Sequence, residues 1–195
     1  MTFYTFSRSV VKFLMKSLYR IEVEGIENIP DEGGVLLCSN HINNWDPPLV
    51  GISSPRPVRF MAKEEIFHKK VIGTIIANLG AFPVKRGMSD REALRKGLKI
   101  LKNGEVLGLF PEGTRSKNGQ LKEGLAGAGF FALRSDASVV PCAIIGPYKR
   151  FNKVKIIFGS PIDFTELRAN KNSAEQATSL IMNEIRHLLE KYKKQ

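Results

Sequence analysis

His41 and Asp46 are the residues of this 195-residue chain whose types and spacing point most directly to chemistry. An imidazole takes up or releases a proton near neutral pH, and a carboxylate beside it can fix its tautomer and support its cation. The pair stands in Ser39-Asn40-His41-Ile42-Asn43-Asn44-Trp45-Asp46-Pro47-Pro48. On a regular helix, at about 3.6 residues per turn, a step of five sends the two side chains to different faces. Pro47 also disfavours a helical Asp46, so a turn must bring the two together. The same residues admit a second reading, in which Asp46-Pro47 is an N-cap and first helical turn and His41 is a satisfied loop histidine.

Two further clusters carry binding groups. Lys85-Arg86-Gly87 offers two cations and a glycine that lets a ligand approach the backbone. Arg86 could clamp a phosphate through its planar fork. Glu112-Gly113-Thr114-Arg115-Ser116 sets a carboxylate and an arginine across a glycine turn. Taken singly, each cluster also reads as solvated surface.

All three clusters follow short apolar runs that read as strands, at 35–39, 81–84 and 105–110. Further strands are expected at 21–24, 58–62, 139–145 and 154–158, and helices at 3–20, 47–52, 63–79, 89–103, 124–135 and 173–192. Ser89 through Glu92 has the form of a capping box with Ser89 as N-cap, and Gly104 stops that helix. Residues 124–135 are rich in small side chains, which suits close packing on a sheet. The stretch 71–84 carries no charge, as in a cleft lining, a lipid contact or a buried core helix. Strands alternating with helices predict an α/β fold: a mixed, partly parallel sheet flanked by helices, with an N-terminal amphipathic helix. Functional residues should gather beyond one end of such a sheet.

In the first helix, Arg8, Lys12, Lys16 and Arg20 recur every fourth residue, opposite Phe3, Phe6, Val10, Phe13, Leu14 and Leu18. That pattern suits an interfacial anchor with basic residues toward anionic headgroups; a surface helix packed on the core is the alternative. Hence the division is a docking helix at 1–20 and a main domain at 21–195. A formal net charge of +11 calls for an anionic partner, whether membrane, phosphorylated substrate or nucleic acid. The aromatics lie mainly in apolar runs rather than interleaved along a basic stripe, which argues against nucleic acid. No run approaches the roughly 18 apolar residues of a membrane span, and no secretory signal is read. Cys38 and Cys142, both in apolar runs, read as buried reduced thiols, and no zinc-type spacing is present.

Taken together, the clusters resemble the glycerolipid acyltransferase family, in particular its bacterial 1-acylglycerol-3-phosphate acyltransferases. His41 with Asp46 matches the family's histidine–four residues–aspartate block. Residues Gly80 to Gly87 resemble its second block, Phe110 to Ser116 match the third nearly letter for letter, and Val139-Val140-Pro141-Cys142-Ala143 is similar to the fourth. The blocks come in family order over about residues 35–145. One departure is Asn43, where members often carry serine.

The resemblance implies an O-acyltransferase that moves a fatty acyl group from an acyl carrier protein or coenzyme A thioester to the sn-2 hydroxyl of lysophosphatidic acid. His41 would be the base oriented by Asp46. Arg86 would hold the phosphate, helped by Lys85 and Arg115, and Glu112, Gly113 and Thr114 would belong to the glycerolipid-binding block. The acyl thioester is a co-substrate, and no cofactor or metal is called for. The expected place is the cytoplasmic face of the cell membrane, bound peripherally to an anionic surface. Glycerol-3-phosphate or another lysolipid as acceptor, and a non-catalytic basic membrane-binding module, remain the alternatives.

Overall fold

The structure is a computed structural model and describes residues 3–85, 90–116, 118–170 and 172–193. Among these, seven strands form one sheet in the order β1-β7-β6-β2-β5-β3-β4. They are β1 (Arg20–Glu24), β2 (Val35–Ser39), β3 (Val58–Lys63), β4 (Phe82–Val84), β5 (Val106–Leu109), β6 (Ser138–Ile145) and β7 (Lys153–Phe158). Every neighbouring pair is parallel except β6 with β7. The sheet is therefore mixed and mostly parallel, as the alternation of elements predicts.

Alternation along β2 divides the core. Leu36 and Cys38 face one side, packing with α5 (Arg91–Lys102), α6 (Gly127–Arg134) and α8 (Ala174–Lys193). Val35 and Leu37 face the other, with Met15 of α1 (Phe3–Leu18) and Leu49, Val50 and Ile52 of α2 (Asp46–Ser53). Because β2, β3, β4, β5 and β6 run the same way, the segments after them emerge on one rim. His41, Lys85, Glu112 and the loop after β6 all lie there.

Several local features differ from the sequence reading. The first helix ends at Leu18, and Arg20, grouped with its basic residues, opens β1. The span 63–79 is two helices, α3 (Glu64–Phe67) and α4 (Lys70–Asn78), with Lys69 extended between them. Gly73 permits the break, since a Cβ there would lie 2.3 Å from the carbonyl oxygen of Phe67. The break also turns Val71, Ile72 and Ile75 outward. The N-cap of α5 is Asp90, not Ser89, which lies outside the described residues. One Asp90 oxygen takes the Ala93 N–H at 3.0 Å and the other the Lys85 N–H at 2.9 Å. α6 is shorter than expected and packs closely on α8, where Gly129 N–H donates to the Thr178 hydroxyl at 2.9 Å. A short helix, α7 (Thr165–Ala169), stands where no element was expected.

Helix α1 is built onto the domain. Met15 is fully buried, and the Arg8 guanidinium donates to the carbonyls of Ile52 and Ser54 at the end of α2, at 3.2 and 2.5 Å. Arg8 thus turns inward, away from the lysines with which its spacing groups it, because the carbonyls ending α2 lack partners within their helix. Phe3, Phe6, Val10, Phe13 and Leu14 are all exposed. Among the described residues, no helix is long and apolar enough to cross a membrane.

Candidate active site

His41 leaves β2 two residues past its end and turns back toward Asp46. Nδ1 of His41 lies 2.7 Å from Oδ2 of Asp46. The same oxygen accepts the N–H groups of Ile42 and Asn43, at 2.6 and 2.7 Å. Asn43 closes the turn: its side-chain oxygen takes the Trp45 N–H at 3.1 Å, and its carbonyl the Asp46 N–H at 3.2 Å. The turn that the five-residue spacing demands is therefore built by Asn43 and Asp46 themselves. Asp46 is also the first residue of α2, whose N-cap is Trp45 and not Asp46 as the helix-start reading has it, so one residue both meets His41 and opens the helix.

A carboxylate only accepts, so Nδ1 of His41 carries the proton in this contact, and in the neutral imidazole Nε2 is the acceptor. Asp46 is fully buried and the His41 side chain is 13% exposed. The imidazole stacks on Phe110, ring centroids 4.2 Å apart at 22°, and Phe110 in turn stacks near Phe60. The ring is held by a carboxylate at one edge and an aromatic face beside it.

The third cluster buttresses the first. Glu112 is buried; its Oε1 accepts the His41 N–H at 2.7 Å and its Oε2 the Lys122 N–H at 3.1 Å. Ser116 N–H donates to the His41 carbonyl at 2.7 Å. Gly113 has φ 66°, a left-handed conformation that glycine adopts without strain. Asn40, next to His41, is locked to the end of β6, taking the Ile144 N–H at 2.7 Å and giving its own amide to the Ile144 carbonyl at 2.9 Å.

His41 opens on a cleft of about 880 Å³. Its wall is largely apolar, with Phe60, Ile76, Leu94 and Phe130 among the lining residues; Lys85 and Gly113 stand in it as well, and Tyr4 and Val11 of α1 flank it. A largely apolar cleft of this volume with one imidazole and a few polar groups suits a substrate with a hydrocarbon chain. The Lys85 side chain is largely exposed and 3.9 Å from Glu64. Thr114 and Arg115 are exposed on the turn after Glu112. Arg86 lies outside the described residues. The structure thus brings His41, Asp46, Glu112 and Gly113 together, sets Lys85 on the cleft wall, and leaves Thr114 and Arg115 on the outer turn. Among the described residues, no group of three His, Cys, Asp or Glu side chains is placed to hold a metal.

Two contacts escape sequence reasoning. The Tyr148 hydroxyl donates to Oδ1 of Asp46 at 2.7 Å from 102 residues away, and nothing around Tyr148 signals it. The stacking of Phe110 on His41 also goes unread, although Phe110 begins the third block.

The profile of the family described as Acyltransferase matches residues 20–145, a span that holds His41, Asp46, Lys85, Phe110, Glu112 and Gly113 but not Tyr148. The chain belongs to the acyltransferase family. It is 31% identical over 188 residues to the 1-acyl-sn-glycerol-3-phosphate acyltransferase of Bacillus subtilis, covering 91% of this chain and 92% of that one. It is 28% identical over 201 residues to the enzyme of the same name from Streptococcus pneumoniae, covering 98% of this chain and 75% of the relative. Among solved structures, the 1-acyl-sn-glycerophosphate acyltransferase PlsC of Thermotoga maritima superposes with a TM-score of 0.76 at 23% identity, over 99% of this chain and 79% of that one. That likeness establishes a shared fold, and the acyltransferase sheet and N-terminal helix described above are part of it.

Proposed function

We propose that this acyltransferase moves a fatty acyl group from an acyl carrier protein or coenzyme A thioester to the sn-2 hydroxyl of 1-acylglycerol-3-phosphate, forming phosphatidic acid for phospholipid synthesis. The observation that carries this reading is the His41–Asp46 pair, 2.7 Å apart, opening on an apolar cleft of about 880 Å³. The names of the relatives point to the same acceptor.

Nε2 of His41 takes the hydroxyl proton as that oxygen attacks the thioester carbon. The carbonyl oxygen becomes an oxyanion, the new C–O bond forms, and collapse breaks the C–S bond. The leaving thiolate recovers the proton from the imidazolium. Asp46 holds the tautomer throughout and stabilises the transient cation. Such a base contributes roughly 10² to 10⁴ in rate. The reaction needs no protein nucleophile, since the alcohol attacks directly. Arg86, with Lys85 and Arg115, binds the acceptor phosphate, and the apolar cleft takes hydrocarbon.

The acceptor is a bilayer lipid, so the protein docks peripherally on the cytoplasmic face of the membrane. The exposed apolar residues of α1 and α4 support this, because both helices also contribute to the cleft wall.

The test is an acyl-transfer assay with lysophosphatidate, glycerol-3-phosphate and monoacylglycerol as parallel acceptors and a long-chain acyl thioester as donor. Acyl transfer should be fastest to lysophosphatidate, giving phosphatidate, and should vanish in a folded His41→Ala protein. Turnover surviving in that variant would refute the base, and preference for glycerol-3-phosphate would refute the acceptor.

A further inference from the structure

The carboxylate of Asp46 has two oxygens. The turn and His41 occupy only Oδ2. Oδ1 faces the loop after β6, where Tyr148 donates its hydroxyl at 2.7 Å. Asp46 is fully buried, and a buried carboxylate oxygen without a donor would be strongly unfavourable. Tyr148 is thus the group that completes the coordination of this carboxylate.

Tyr148 is itself fixed from several sides. Tyr19, just past α1, meets its ring edge-on with centroids 5.4 Å apart at 89°. The Phe151 N–H donates to the Leu18 carbonyl at 2.6 Å, tying the same loop to the end of α1. Asn40 clamps the end of β6 to the residue before His41. The strand that carries His41 and the loop that carries Tyr148 therefore form one rigid frame around Asp46.

We infer that Tyr148 is a positioning residue for acyl transfer, acting through Asp46 to hold the His41 imidazole in its working tautomer and to set its basicity. This inference rests on the proposed role of the His41–Asp46 pair. A hydrogen bond to the charged form of a carboxylate lowers its affinity for a proton. Burial, and next the charge of Asp46, push the Tyr148 hydroxyl well above its ordinary range, so it remains a donor wherever the protein works. The groups facing Asp46 are His41, Tyr148 with Tyr19 behind it, the Cys142 thiol of β6, and the amides of Ile42 and Asn43. Among the described residues, Tyr148 alone of these donates a hydrogen bond to Oδ1.

The sign of the effect follows. Without the phenol, the negative charge of Asp46 is less delocalised onto a donor, and the His41–Asp46 pair holds its proton more tightly. The base form of His41 is lost as pH falls, so its loss begins at higher pH.

The experiment uses the full chain with lysophosphatidate and an acyl thioester. Tyr148→Phe keeps the ring against Tyr19 and removes only the hydroxyl. We expect kcat to fall roughly tenfold, by the usual size of a hydrogen bond to a charged group, while KM for both substrates stays within about twofold. The acidic limb of the kcat/KM profile should move to higher pH. In an Asp46→Asn background, adding Tyr148→Phe should cause little further loss, because a residue acting through another is not additive with it. Unchanged kcat with an unmoved limb would overturn the inference, as would a full additional loss in the Asp46→Asn background. A Tyr148→Phe protein with a lowered melting temperature but parent kcat per folded molecule would also overturn it. Parent-like turnover in His41→Ala would instead refute the underlying reading of the pair.

Discussion

The Glu112 carboxylate accepts the main-chain N–H of His41 at 2.7 Å and that of Lys122 at 3.1 Å. The glycine-turn block therefore supports the loop that carries His41, and both oxygens of its carboxylate are already engaged by backbone. Glu112→Gln keeps one acceptor but sets an amide N–H₂ against a backbone donor in a buried place. The expected outcome is a loss of about 1–3 kcal/mol in stability, or a fall of a few degrees in melting temperature. Turnover should drop with it, while KM for the acceptor stays near that of the parent. A steep rise in acceptor KM with unchanged thermal stability would show instead that Glu112 grips the glycerol moiety.

Much of this arrangement was legible in sequence because it is local. Each strand is a short apolar run with a polar cluster at its end, and parallel strands place such ends on one rim. The His41–Asp46 pairing follows from five residues and a proline. The rest depends on partners that no short window contains. Tyr148 lies 102 residues from Asp46, and Glu112 bonds to main-chain groups, which every residue type offers alike. The break between α3 and α4 leaves the apolar period unbroken; only Gly73, packed against the Phe67 carbonyl, marks it. Arg8 shares the spacing of Lys12 and Lys16 but is drawn inward by the open carbonyls of α2, a preference that periodicity does not register.

Substrate charge should be read by Arg86. Arg86→Ala is expected to weaken use of lysophosphatidate roughly ten- to a hundredfold, the range of one lost charged hydrogen bond. Use of the acyl donor should change far less. Arg86→Lys should recover part of the loss, since the charge returns without the planar fork. Comparing kcat/KM for lysophosphatidate and monoacylglycerol checks this; an equal loss on both acceptors would rule out a phosphate contact.

The two cysteines should be chemically silent. Cys38 and Cys142 are fully buried and free. Burial pushes the Cys142 thiol up to about 12 and raises that of Cys38 as well. The thiolate is the reactive form, so at pH 8 neither should react with a thiol-specific disulfide reagent in the native protein. Both should react once the chain is unfolded in denaturant, and the treated native protein should keep its activity. Rapid loss of activity with one thiol modified would point to a reactive cysteine, and hence to a different reaction path.

Docking on lipid should divide between apolar and basic residues of α1. Phe13 is 73% exposed and Phe6 58% exposed, so neither owes its position to the core. Lys12 and Lys16 are exposed beside Phe13. Basic residues near an anionic surface contribute about 1 kcal/mol each, and that part is screened by salt. The apolar part is not. Vesicle binding should therefore rise with anionic lipid and fall, without vanishing, at high salt. Reversing Lys12 and Lys16 to Glu should weaken binding to anionic vesicles at least tenfold and cut turnover on bilayer substrate. Turnover on detergent-dispersed substrate should change little, because Arg8 and Met15, which seat the helix, are untouched. Phe6→Ser with Phe13→Ser should weaken binding at high salt as well as low. The measurement is vesicle co-sedimentation across salt and lipid composition, paired with activity on both substrate forms. If the charge-reversed protein bound anionic vesicles as tightly as the parent, docking would fall to another surface. Val71, Ile72 and Ile75 of α4 would then be the place to substitute, since among the described residues they are the other exposed apolar group on a helix that contributes to the cleft wall.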